Sequence, residues 1–133
     1  MVVKDFLTEQ KEMIKDVKDK AFVYSSTVSV PLTTDFDLTY ESGDEKKGKI
    51  LESCVLFTDI RNSVSLNKKH DIDTMGRIYT AFTKGVLNAA AYHGGMVRNI
   101  IGDRVMVVFP KSDCFKNAVY CATTLVSTKN GRV

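Results

Sequence analysis

Apolar positions along the chain keep two different periods, and each predicts its own elements. Over residues 3–20, Phe6, Leu7, Met13, Ile14 and Val17 fall near one face of a helix, with lysines and acids on the other. That stripe predicts an amphipathic helix that packs on a neighbour or makes a dimer contact. Residues 23–48 lose the period. They are rich in Ser, Thr, Asp and Gly, with a proline at position 31, and read as a long connector with a short strand at 28–30 or 36–40. The run Asp44-Glu45-Lys46-Lys47-Gly48-Lys49 reads as a solvated turn. A phosphate contact for its lysines is the alternative.

From residue 49 the pattern becomes regular. Residues 51–58 form a β-rich apolar run that ends in an acid, Asp59, as suits a central strand. A short polar segment, 61–69, follows. Met75, Ile78, Tyr79, Phe82, Val86, Leu87 and Ala90 then keep helical spacing over 74–92, with Asp73 placed to cap the start. His93-Gly94-Gly95 stops this helix, because glycine accepts the left-handed backbone of a C-cap. Residues 96–101 and 104–109 are two strands joined by Gly102-Asp103, which predicts a hairpin closed by Pro110. Ser112 or Asp113 would cap a last helix with Cys114, Ala118, Cys121, Ala122 and Leu125 on its apolar face. Strands alternating with helices, with one hairpin, predict an α+β fold: a mixed sheet with helices packed on it.

Composition narrows the class. The 133 residues suffice for one domain with a real core, and 44% hydrophobic with 26% charged residues is ordinary for a globular protein. A net charge of +3 does not call for nucleic acid or an anionic membrane as partner. No apolar run reaches the length of a membrane span, and the first twenty residues lack the apolar stretch of a signal peptide. The expected location is the cytoplasm. Cys54, Cys114 and Cys121 have no CxxC spacing, and neither His70 nor His93 stands at a ligand spacing from them. They read as buried free thiols, and a zinc site is not expected.

Two acids carry the candidate chemistry. Asp59 ends the first regular strand and Asp103 sits at the hairpin tip. If the hairpin pairs beside that strand, the two carboxylates meet at one end of the sheet. Together with a backbone carbonyl they would suit hard cations such as Mg²⁺ or Mn²⁺, and two such ions suit phosphoryl chemistry. The segment Ile60-Arg61-Asn62-Ser63-Val64-Ser65 turns into a helix whose first N–H groups could cradle phosphates. The plainer alternatives stand beside this one. Acids are common at strand ends, aspartate is an ordinary turn residue, and Arg61 and Arg104 could simply be their salt-bridge partners.

Three ordered motifs resemble the catalytic domain of class III adenylate and guanylate cyclases. They are Phe57-Thr58-Asp59-Ile60 followed by Asn62-Ser63, then His93-Gly94-Gly95, then Ile101-Gly102-Asp103 before Val105-Met106-Val107-Val108-Phe109. The two acids stand 44 positions apart. The resemblance runs over about residues 50–126. It implies a ferredoxin-like palm sheet with helices on one face and a head-to-tail homodimer with active sites at its interface. Residues 1–48 would be an N-terminal helix and connector, and 49–133 the N-terminal portion of the catalytic domain.

Under that resemblance Asp59 and Asp103 would be catalytic, holding two divalent metal ions (Mg²⁺ or Mn²⁺) with the Ile60 carbonyl. Asn62, Ser63 and Val64 would bind the triphosphate, largely through backbone N–H groups. The implied reaction is attack of the ribose 3′ oxygen on the α-phosphorus of a nucleoside triphosphate, expelling pyrophosphate.

Two departures refine it. Asn99 stands where the family reads the base, in place of the lysine usual in adenylate cyclases or the glutamate usual in guanylate cyclases. An amide both donates and accepts, which suits the carbonyl and ring nitrogen of a pyrimidine. The phrasing Arg98-Asn99-Ile100-Ile101-Gly102-Asp103-Arg104 also resembles the bacterial pyrimidine cyclases of Pycsar anti-phage systems, which make cyclic UMP or cyclic CMP. The further strands of such a domain, with a second base-reading residue and an Asn/Arg pair for the transition state, are expected to be missing. A purine cyclase with a variant pocket, a non-catalytic cyclase-homology module that dimerises or binds nucleotide, and a receiver-type fold with Asp59 as phosphoacceptor are the alternatives.

Overall fold

The computed structural model describes residues 2–39 and 45–129. Its elements run α1 (Val3–Asp19), β1 (Ala21–Thr27), β2 (Glu45–Leu51), β3 (Ser53–Asp59), α2 (Ser63–Lys69), α3 (Ile72–Tyr92), β4 (Met96–Ile101), β5 (Arg104–Pro110) and α4 (Cys114–Lys129). They form two compact units, Met1–Thr27 with Pro31–Ile50, and Val28–Val30 with Leu51–Val133.

The first unit holds α1 and a two-stranded sheet of β1 and β2. Asp5 in the first turn of α1 and Lys18 in the last suit the helix dipole. Two expectations for the connector fail here. The strand lies at Ala21–Thr27, not at 28–30 or 36–40, and Tyr40 falls outside the described residues. The run from Asp44 to Lys49 is not a solvated turn: Asp44 is outside the described residues, and Glu45–Leu51 is a strand. Lys46 is buried, with its ammonium 3.5 Å from an oxygen of Asp16. The reason is a period-two alternation, Lys46 and Gly48 in and Glu45 and Lys47 out. A long aliphatic stem lets lysine occupy an inward position when an acid meets its head. Lys49 bonds Asp35 at 2.7 Å, which holds that carboxyl below the ordinary carboxylate value. Two of the lysines considered for phosphate are thus already paired with acids.

In the second unit the strand order is β3-β5-β4, and both pairings are antiparallel. β3 and β4 therefore run parallel with β5 inserted between them, the split βαβ arrangement of ferredoxin-like folds. Alternation along the strands decides which face is covered. Val105, Val107 and Phe109 of β5 are fully buried against Val86, Ala89 and Ala90 of α3 and Cys114, Ala118 and Cys121 of α4. Cys54 and Leu56 pack onto the same cluster. Both helices thus lie on one face. Cys114 and Cys121 are buried free thiols and Cys54 is a half-buried one.

The long helix begins two residues before the expected position. Its cap is Asp71, not Asp73: the Asp71 carboxylate accepts from the Thr74 N–H at 2.7 Å. An N-cap side chain accepts from an N–H two or three residues on, and Asp73 already lies within the helix. The helix ends as expected, with Gly94 at φ 76° and its N–H on the Ala91 carbonyl. Gly95 has a separate reason. A Cβ there would lie 2.7 Å from both Phe109 and Val107, so its bare backbone lets the start of β4 approach the core. Among the described residues no helix is long and apolar enough to cross a membrane.

Candidate functional site

β3 ends at Asp59 and pairs with β5 so that Asp59 faces Arg104. The residue before Arg104 is Asp103, in the two-residue connection of the β4–β5 hairpin. That connection is tight because Gly102 takes φ 59°. Inserting β5 between β3 and β4 thus brings the hairpin tip beside the end of β3. Two acids distant in sequence become neighbours through strand order, as the hairpin expectation required.

Ser63 joins them. Its hydroxyl is the largest influence holding the Asp103 carboxyl below its ordinary value. The Asp59 carboxyl and the charge of Arg104 push the same way, while partial burial opposes them. Asp59 is exposed and Asp103 half-buried. Arg104 Nε lies 3.6 Å from Asp59 Oδ2, and both side chains are largely in solvent. At that exposure the pair orients Asp59 and adds little stability.

The segment after Asp59 turns sharply. Asn62 adopts the left-handed conformation, φ 56° and ψ 38°, which asparagine tolerates better than most residues. α2 starts at Ser63, and its N-cap side chain makes no capping bond. The first N–H groups of this turn have no acceptor within the helix. Asn62 and Val64 are exposed and Ile60 is half-buried. The turn thus lies directly after the acid at the end of β3, and Ser63 within it influences the acid in the hairpin.

Asn99 is not part of this cluster. It sits in β4 opposite Met106, and Phe57 lies on the other side of Met106 in β3. Asn99, Phe57 and Asp59 share the sheet face away from the helices, one strand rung apart along β3. Asn99 is exposed, so its amide is open to a ligand from outside the unit. A bulge between Val97 and Asn99 re-aims the strand just before it.

Hard oxygen donors dominate the group: two carboxylates, a serine hydroxyl and the carbonyls of the turn. That set fits Mg²⁺ or Mn²⁺ and not zinc. Among the described residues there is no cluster of three or more His, Cys, Asp and Glu side chains able to hold a metal. A cation between Asp59 and Asp103 would therefore draw its remaining ligands from backbone, water or a phosphate. A concavity of about 750 Å³ runs along α3 past Ile72, Gly76, Arg77 and Lys84 and shares no residue with the acids. The two acids lie instead at the rim of an open sheet face.

Sequence reasoning did not foresee the influence of Ser63 on Asp103. Its only local sign is a serine four residues after a strand-end acid, which becomes meaningful once the hairpin tip is placed beside it. The pairing of Arg104 with Asp59 was one of two open alternatives.

Solved cyclase structures share this fold. A bacterial light-regulated adenylyl cyclase aligns over 61% of this chain and 42% of its own, at 22% identity and a TM-score of 0.58. The catalytic core of a rhodopsin-guanylyl cyclase with converted specificity, in complex with ATPαS, aligns over 59% of this chain and 45% of its own, at 22% identity and 0.55. The guanylate cyclase domain of RhGC from Catenaria anguillulae, in complex with GTP, aligns over 57% and 44%, at 20% identity and 0.53. At these identities the likeness is one of fold, and the chain spans less than half the length of each. No protein-family model matches the chain, and no curated protein matches it.

Proposed function

We propose that the chain belongs to a metal-dependent nucleotidyl cyclase that converts UTP or CTP to the 3′,5′-cyclic monophosphate and pyrophosphate. The observation that carries this is the meeting of Asp59, Asp103 and Ser63 at the end of a split βαβ sheet whose fold is shared with adenylyl and guanylyl cyclases. Asp59 and Asp103 would hold two divalent ions, with the Ile60 carbonyl as a further ligand. Those ions, when bound, supply charge neutralisation at the phosphates and polarisation of the attacking oxygen.

The chain's own groups do the rest. The lowered pKa of Asp103 favours its anionic form, the form a cation needs. Ser63 is the largest influence on that ionisation. The N–H groups of Asn62, Ser63 and Val64 grip the triphosphate, a task for which the tight turn at Asn62 pre-sets the backbone. Asn99 reads the base edge from the open face across a head-to-tail homodimer. Its amide supplies one donor and one acceptor, which supports a pyrimidine. Neither nucleic acid nor a membrane takes part. The setting is the cytoplasm, and the product serves as a second messenger in antiviral defence, as the Pycsar resemblance implies.

A purine substrate is the second reading, because the fold neighbours are adenylyl and guanylyl cyclases and one of them carries a converted specificity. The test incubates the protein with all four triphosphates and Mn²⁺ and identifies products by mass spectrometry. A cyclic pyrimidine monophosphate is expected. Cyclic AMP or cyclic GMP would keep the cyclase and discard the pyrimidine preference. No product from a verified dimer would leave a non-catalytic module.

A further inference from the structure

Arg104 stands among the acids, and the proposed reaction gives it no task. It opens β5 directly after Asp103 and lies opposite Asp59 in the antiparallel register. Residues directly opposed on neighbouring strands carry their side chains on one sheet face, so Arg104 rises from the open face beside Asp59. Its Nε lies 3.6 Å from Asp59 Oδ2. Its charge also helps to hold the Asp103 carboxyl below its ordinary value. One guanidinium thus acts on both acids.

Stability does not explain this placement. The Arg104 side chain is 72% exposed and that of Asp59 52%, and an ion pair so open to water contributes little to folding. The chemistry of the group gives a better reason. Two carboxylates brought together disfavour each other's charged form, and a nearby cation relieves them. Arg104 supplies that cation from the chain itself. A divalent ion arriving at Asp59 meets the guanidinium as a rival, because two cations at one carboxylate repel.

The same exposure leaves Arg104 able to change partners at little cost. A guanidinium presents paired N–H donors that match phosphate oxygens. Asp59 and Arg104 face each other across one strand spacing, about 4.8 Å. Phosphate oxygens on an ion held by Asp59 therefore fall within the length of an arginine side chain rooted at Arg104.

We propose that Arg104 exchanges partners: it pairs with Asp59 before metal arrives and with phosphate oxygens once metal and triphosphate are bound together. It therefore opposes binding of the metal alone and favours binding of the metal with triphosphate, which makes the two load as one. The exchange rests on the reading of Asp59 and Asp103 as metal ligands.

The test is titration calorimetry on the whole chain with Arg104→Gln and Arg104→Glu. Arg104→Gln should bind Mn²⁺ alone about two- to fivefold more tightly than the parent, the range of an exposed ion pair. Arg104→Glu, which adds a third carboxylate, should bind it more tightly again. The second probe is the manganese complex of inorganic tripolyphosphate, which has neither base nor ribose. Against it the order should reverse, with Arg104→Gln about tenfold weaker than the parent. A residue of merely structural importance would not move the two affinities in opposite directions. Mn²⁺ affinity that Arg104→Gln leaves unchanged or lowers, or tripolyphosphate affinity that it leaves unchanged or raises, would overturn the exchange while the metal reading stands. Asp59→Ala separates the two: if it binds Mn²⁺ as the parent does, the metal reading fails and the exchange falls with it.

Discussion

Replacing Gly95 by alanine tests how the core positions the start of β4. The added Cβ would lie 2.7 Å from Phe109 Cε1 and from Val107 Cγ1, and 2.8 Å from Phe109 Cζ. Carbon atoms settle at about 3.5–4.0 Å, so something must move by roughly 1 Å. Phe109 and Val107 are both fully buried and have no free volume to retreat into. Overpacking of this kind costs about 1–3 kcal/mol. For a unit of this size each kcal/mol lowers the melting midpoint by about 4–8 °C. The assay is urea unfolding followed by circular dichroism, in which the midpoint should fall without a change in slope. Gly94→Ala is the comparison. Its nearest outside atom is 4.0 Å away, so its penalty comes only from the left-handed backbone, about 1–2 kcal/mol. Combining Gly95→Ala with Val107→Ala should cost less than the two separately, since the smaller residue opens one contact. A Gly95→Ala protein as stable as the parent, or strict additivity in the double variant, would refute the packing account of this glycine.

Asp59→Ala or Asp103→Ala should abolish cyclic nucleotide formation and remove thermal stabilisation by Mn²⁺ with triphosphate, while the melting of the free protein barely changes. Retained product in either variant would sink the metal role of that acid. Asn99→Lys or Asn99→Glu should shift base preference in competition assays with mixed triphosphates, and unchanged selectivity would remove Asn99 from the base site. Asp71→Ala should lower stability at neutral pH and flatten its acid dependence. The Thr74 backbone N–H, then its hydroxyl, holds the Asp71 carboxyl below the ordinary value. The cap's contribution is therefore fully present above the unfolded carboxylate pKa and fades as pH falls through the lower folded one. Melting curves from neutral to acid pH should converge for the two proteins, and a constant gap would refute the assignment.

Much of the second unit was legible because its signals are local. A β-rich apolar run ending at Asp59, a period near 3.6 ending at His93-Gly94-Gly95, and a glycine between two apolar runs each report on a few adjacent residues. Burial of Cys114 and Cys121 followed from their shared helix face. The cap moved from Asp73 to Asp71 because capping depends on one hydrogen bond, and apolar spacing locates a helix end only to within a turn.

What chain pairing decides was not legible. Lys46 looked like part of a solvated charge run until β2 placed it inward and Asp16 met its ammonium. The same run hid a strand, since β1 and β2 are each weakly patterned and define one another only by pairing. Sequence alone brought two acids to the ends of two strands. The insertion of β5 between β3 and β4 set Asp103 beside Asp59, put Ser63 within reach of Asp103, and left Asn99 on the open face. Strand order is a non-local choice made by packing one sheet face against α3 and α4, and no local period encodes it.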